Sequence, residues 1–200
     1  MAEASTPARD RMVAGAADMI RRRGLNATSV RELAKHSGAP LGSTYHYFPG
    51  GKQQLAEEAV RWADELTVRA LGAALEKGPR AGLRAFLTMW RKVVVDSEFR
   101  AGCPVLAVSV EDAPDEESAP RAAAAAAFQH WTSLLAESLR AHGATDLDAE
   151  RTATLIVAAV EGTVAMCRAE RSARPLDRVA AQLEFLVGVV TGTAEAASPE

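Results

Sequence analysis

From Pro7 to Gly24 the apolar side chains Met12, Ala16, Met19 and Ile20 recur three and four residues apart with charges between them. That is the spacing of a helix that buries one face. The same period returns along the whole chain between Gly and Pro punctuation, and the every-second-residue alternation of a half-buried strand is absent. The expected fold class is therefore all-α, with about nine helices. Thr6 and Pro7, a capping hydroxyl followed by proline at the first helical position, predict where the first helix begins. In "SVRE", Ser29 and Glu32 stand at capping-box spacing and predict a second helix that stops at Gly38. Pro40 opens a third, which ends at Pro49. These three short helices form one small unit.

A long helix is expected from Lys52 to Glu76, with Leu55, Val60, Leu66 and Leu75 among exposed charges, as in a connector. After it the pattern predicts a helix from Pro79 to Ser97, a break at "EFRAGCP", a short helical piece to Glu111 and an acidic loop, "EDAPDEESAP". Three more helices follow, near 117–142, 147–170 and 175–195. The alanine run Ala122 to Ala127 fits a closely packed helix, because alanine is the best helix former. The last two helices differ from the others. "ATLIVAAVEGTVAMC" is apolar nearly all round, and "VAAQLEFLVGVV" carries Val179, Leu183, Leu186, Val187 and Val190 on one stripe with Phe185 and Val189 beside it. Such helices must bury more than one face. A second copy of the chain, packed as a four-helix bundle, would cover Val160, Val164, Leu183, Leu186, Val187 and Val190; the alternative is a deeply buried monomer core.

Composition narrows the function. Two hundred residues, 48% of them hydrophobic, can bury a sizeable core. Cys103 and Cys167 lie far apart without CxxC spacing, so neither a disulfide framework nor a metal site is expected, and a reducing cytoplasm fits best. The N-terminal stretch turns helical and charged instead of leading into an apolar signal core, and no uninterrupted apolar run approaches the roughly 20 residues of a membrane span. The net charge of −3 is unevenly shared: residues 1–52 hold eight Lys/Arg against four Asp/Glu, and residues 53–200 hold fifteen against twenty-two. A basic head, residues 1–51, on an acidic body, residues 52–200, is the expected division, with 52–76 as connector.

The stretch "HSGAPLGSTYHYFPGGK" decides what the basic head touches. Two helices joined by a tight turn, the second short, make a helix-turn-helix whose second helix can enter a DNA major groove. Gly42 lets backbone come close to DNA, Ser43 and Thr44 carry small hydroxyls, and Tyr45, His46 and Tyr47 are neutral donors for phosphates or base edges. Lys52, at the start of the connector, would attract a phosphate with its own charge and with the helix N-terminus. Taken together, "TSVRELAKHSGAPLGSTYHYFPGGKQQL" resembles the N-terminal DNA-binding domain of the TetR family of bacterial transcriptional regulators. Operator contacts in that family are made at positions matching Thr28 or Ser29, Arg31, Gly42, Ser43, Tyr45, His46, Tyr47 and Lys52. Three departures stand out: Leu41 replaces a frequent lysine, Thr44 a usual leucine, and "FPGGK" is one residue longer than "FxxK". Leu41 then becomes an apolar base contact, for instance with a thymine methyl.

The resemblance further implies a cytoplasmic homodimeric repressor with a double-stranded DNA operator and a small-molecule effector, with no cofactor and no metal; an effector-independent regulator or activator is the alternative. An effector pocket would draw on Phe86, Met89, Trp90, Leu106, Phe128, Trp131, Leu155 and Met166, with Cys103 and Thr163 as small polar groups. No arginine cluster accompanies them, so an apolar, aromatic effector is expected. Glu161, in the middle of an apolar helix, either pairs with Arg91 or Arg168 or faces the cavity or a dimer seam. An enzyme is not expected. Cys103 with His130 or His142 would supply nucleophile and base, but no local motif brings them together and no glycine loop supports a phosphate or dinucleotide.

Overall fold

The computed structural model describes residues 7–112 and 118–193. Among the described residues there are nine α-helices and no strand: α1 (Pro7–Arg23), α2 (Val30–His36), α3 (Leu41–Tyr47), α4 (Gly51–Leu75), α5 (Pro79–Asp96), α6 (Pro104–Ser109), α7 (Ala119–Ala141), α8 (Asp146–Glu170) and α9 (Arg174–Val190). The cap expected at Thr6, the middle of the acidic loop and the helix ends expected at 117 and 195 lie outside the described residues.

Local chemistry sets most helix ends. Gly24, at φ +82°, turns the chain out of α1 where a residue with a Cβ would be strained. Ser29 caps α2 reciprocally with Glu32: the Ser29 amide donates to Glu32 Oε2 at 3.1 Å, and the Glu32 amide to Ser29 Oγ at 3.2 Å. Thr145 caps α8 by accepting the Asp148 amide.

Packing divides the chain into two compact units, Met1–Glu65 with Ala101–Ala127 and Leu66–Arg100 with Phe128–Glu200. The break expected after residue 51 is therefore not where the packing falls. The first part of α4 stays with α1–α3, and α6 joins them from far along the chain by packing on α1. In this first unit Met12, Val13, Ala16, Ala17 and Ile20 of α1 are buried, with Leu33 of α2, Leu55 and Val60 of α4, and Val105 and Val108 of α6. Phe48, 1% exposed, closes the end of α3; the Arg9 guanidinium sits 5.1 Å above its ring and also pairs with Glu58 of α4.

In the second unit α5, α8 and α9 pack on one another. Their core holds Leu83, Phe86, Trp90 and Val94, Ile156, Val157, Val160 and Val164, and Leu183 and Val187. This corrects the expected dimer seam. Val160, Val164, Leu183 and Val187 are at most 3% exposed and close the unit's own core, while Leu186 and Val190 are half-buried. Apolar side chains left uncovered on these two helices include Leu155 and Met166 of α8 and Phe185 and Val189 of α9, each 49–56% exposed. A helix apolar nearly all round does not reveal by its period which side meets its neighbours. By length and composition α8 would also suffice to cross a membrane, but half of its apolar window is buried in the fold, as in a core helix.

Across α5 and α9, Arg84 pairs with Glu184 at 2.7 Å and Arg91 with Asp177 at 3.0 Å. Arg91 is thus engaged across α5 and α9, and the Arg168 guanidinium reaches the Arg100 carbonyl at 3.4 Å. Glu161 itself is buried, 4% exposed.

Candidate nucleic-acid interface

The chain turns tightly from α2 into α3. Ser37 ends α2 with its hydroxyl on the Leu33 carbonyl at 2.9 Å, and Pro40 stands at the N-cap of α3. Proline lacks an N–H that would have found no acceptor within the helix at this position, and its fixed φ suits the entry. Thr44 faces inward, 1% exposed, with its hydroxyl on the Pro40 carbonyl, so the position where leucine is usual still serves the core. The opposite side of α3 is open. Tyr45 is 53% exposed and His46 is exposed; Tyr47 packs edge-on to the His46 ring, half-buried. Gly42 is exposed, and a Cβ there would meet nothing within 4 Å, leaving its backbone bare to an approaching surface. Leu41 and Ser43 are half-buried beside it.

Of the residues expected on DNA from α2, Arg31 is exposed and Ser29 is exposed while capping the helix. Thr28 does not fit. It is 3% exposed and its hydroxyl donates to the Leu25 carbonyl at 2.7 Å, so it shapes the turn before α2 instead of facing outward. The added glycine of "FPGGK" is absorbed in a turn: the Gly51 amide bonds the Phe48 carbonyl, Gly51 takes φ +63°, and Lys52 becomes the second residue of α4. Gln54 steadies that turn by accepting the Gly50 amide at 2.9 Å.

Between α1 and α2 lies a charge hub absent from the sequence expectations. The Asp18 carboxylate receives Arg21 at 2.6 Å, Arg22 at 3.0 Å and His36 Nε2 at 3.1 Å, which ties α1 to α2. Partial burial pushes its pKa up, but the hydrogen bonds from Arg21 and Arg22 and their charges outweigh it, and the carboxyl stays below its ordinary range. Glu32 is also held down, chiefly by the Ser29 hydroxyl and then by the Ser29 amide. The two i,i+3 and i,i+4 arginine spacings were visible in the sequence; the His36 contact, across eighteen residues, was not.

The expected pocket residues are only partly assembled. Phe86 and Trp90 of α5 meet Trp131 of α7 at ring distances of 6.0 and 6.4 Å, and Phe128 meets Trp131 edge-on at 5.5 Å. Met89 is half-buried on α5. Leu155 and Met166 point to solvent and leave the set, and the Thr163 hydroxyl is spent on the Ala159 and Val160 carbonyls of its own helix. Cys103 and Leu106 belong to the first unit, where Cys103 caps α6 with its sulfur. His130 and His142 are exposed in the second unit. Among the described residues no group of three or more His, Cys, Asp or Glu is arranged to hold a metal ion.

Residues 13–59 match the family model described as bacterial regulatory proteins, tetR family, and residues 79–182 match the C-terminal domain of LmrA/YxaF-like transcriptional regulators. The chain is 42% identical over 184 residues to the uncharacterized HTH-type transcriptional regulator Rv0196 of Mycobacterium tuberculosis, covering 90% of this chain and 93% of that protein. Over 53 residues it is 46% identical to the HTH-type transcriptional repressor KstR2 of Mycolicibacterium smegmatis, 26% of this chain and 25% of that one. Its fold superposes with a TM-score of 0.79 on the crystal structure of regulatory protein TetR from Rhodobacter sphaeroides, at 25% identity over 90% of this chain and 98% of that one.

Proposed function

The chain belongs to the TetR family of bacterial transcriptional regulators, and on that premise we propose that it is a cytoplasmic repressor, a homodimer that binds a palindromic operator and releases it when a small apolar, aromatic effector binds. The observation that carries the DNA-binding part is the open face of α3, where Gly42, Tyr45 and His46 are exposed on a helix anchored from behind by Thr44 and Phe48. A rigid scaffold with donors on its free side suits a major groove, and Tyr47 and Lys52 at the edge suit phosphates. One helix this short reads few bases, and twofold pairing doubles the site. The exposed apolar side chains of Leu155, Met166, Phe185 and Val189 support such pairing. The repressor sense rests on the resemblance, over 53 residues, to the HTH-type transcriptional repressor KstR2. The effector class rests on the ring cluster of Phe86, Trp90, Phe128 and Trp131, a receptor for a flat apolar body.

The test is DNase footprinting on the DNA upstream of its own gene, with and without a panel of apolar aromatic compounds, alongside tryptophan emission. A symmetric footprint that one compound erases, while quenching Trp90 and Trp131, is the expected result. A footprint indifferent to every quenching compound would favour an effector-independent regulator, and release that persists with unchanged affinity in Trp90→Leu and Trp131→Leu would remove the ring cluster as the receptor.

A further inference from the structure

The turn between α1 and α2 is held from the two ends of α6, and chiefly by one side chain. The Glu111 carboxylate, just past α6, takes two consecutive backbone amides: Leu25 N–H donates to Oε1 at 2.8 Å and Asn26 N–H to Oε2 at 2.6 Å. The Asn26 side-chain amide then donates to the Asp112 carbonyl at 3.2 Å. At the other end of α6, the Gly102 amide bonds the Arg21 carbonyl at 2.9 Å. Gly24 is shaped to admit the carboxylate, since a Cβ there would lie 2.0 Å from Glu111 Oε1. Beyond the clamp the turn is short and tightly bonded. Leu25 is buried, its carbonyl takes both the amide and the hydroxyl of Thr28, and Ser29 is already the cap of α2. No slack separates the two clamped amides from the N-terminus of the helix that precedes the DNA-reading helix.

We propose that Glu111 is a positioning residue for operator binding: by chelating the Leu25 and Asn26 amides it fixes the angle at which α2, and with it α3, leaves α1. The inference rests on the DNA-binding reading above. A carboxylate accepting two backbone donors makes charge-assisted bonds stronger than the water contacts they replace. With the clamp present, the helix-turn-helix is ordered before it meets DNA; without it, the ordering cost falls on the binding step. Specific binding requires α3 at one depth and angle in the groove, whereas non-specific binding needs only cations near phosphates. Losing Glu111 therefore separates the two.

The experiment uses the full chain and, as probe, the duplex that the wild-type protein enriches from a random-sequence pool, with a scrambled duplex of equal length and composition as reference. In Glu111→Gln one amide keeps an acceptor and the other meets a donor; in Glu111→Ala both lose their partner. Affinity for the enriched duplex is expected to fall about tenfold or more in both variants. Affinity for the scrambled duplex and its salt dependence stay at wild-type values, and exchange of the Leu25 and Asn26 amides accelerates. Unchanged affinity for the enriched duplex in both variants, or an equal loss on both duplexes, would overturn the positioning role. Failure of the wild type to enrich any duplex would overturn the DNA-binding reading and this inference with it.

Discussion

Replacing Phe185 by alanine tests where two copies of the chain meet. Phe185 stands on α9 with 56% of its surface exposed, one helical turn from Val189 at 50%, while Leu155 and Met166 of α8 are exposed to the same degree. A phenylalanine offers about 200 Å² to burial, so about 110 Å² remains for a partner, and truncation to alanine removes about 80 Å² of it. At about 25 cal/mol per Å² this is about 2 kcal/mol per copy. Twofold symmetry presents the same patch on both copies, so the loss reaches about 4 kcal/mol per dimer, or about a thousandfold in the dimer dissociation constant. Folding of the single chain should be nearly untouched, because the ring contributes little to its own core. Val187→Ala is the contrasting change: its side chain is 0% exposed, so it should lower the melting temperature without a specific effect on association. Sedimentation equilibrium across a concentration series reads both. Wild-type association in Phe185→Ala, or dissociation in Val187→Ala at unchanged stability, would refute the assignment and return the seam to the face expected from the sequence.

Lys52→Ala should weaken binding to all DNA sequences alike and lower the slope of log affinity against log salt by about one, measured by fluorescence anisotropy. Asp18→Asn should cost no more than about 1 kcal/mol at neutral pH, since its partners are partly exposed. The folded Asp18 carboxyl lies below 3.8, so its contribution is present above that value and is lost as pH falls through the lowered one; thermal melts of wild type and variant should converge there. Cys103 and Cys167 should resist a thiol reagent in the native protein and react together on unfolding. Both are at most 4% exposed, and burial pushes the Cys167 thiol up, away from the reactive thiolate.

What was legible in the chain alone has a short range. The Ser29–Glu32 box, the Pro40 entry to α3, the glycine stop at Gly24 and the helix count depend on residues within about one turn of each other, and helix-forming hydrogen bonds close over four residues. The exposed face of α3 was legible for the same reason: α3 is short, and a single inward position, Thr44, orients the rest. Thr28 was misplaced because its direction follows from the turn, which Leu25 and Glu111 set together.

The amino-acid order by itself determined an all-helical chain, a basic helix-turn-helix and two C-terminal helices too apolar to be covered on one side only. Tertiary structure decided which of their apolar faces is covered, Val160 and Val187 inward and Leu155 and Phe185 outward, because helical periodicity records the breadth of an apolar surface and not the direction of its neighbour. It also decided that α6 packs with the DNA-binding helices and that Glu111 clamps amides 85 and 86 residues away. A lone glutamate at the start of an acidic run reads as solvated surface until folding brings two unpaired amides to it.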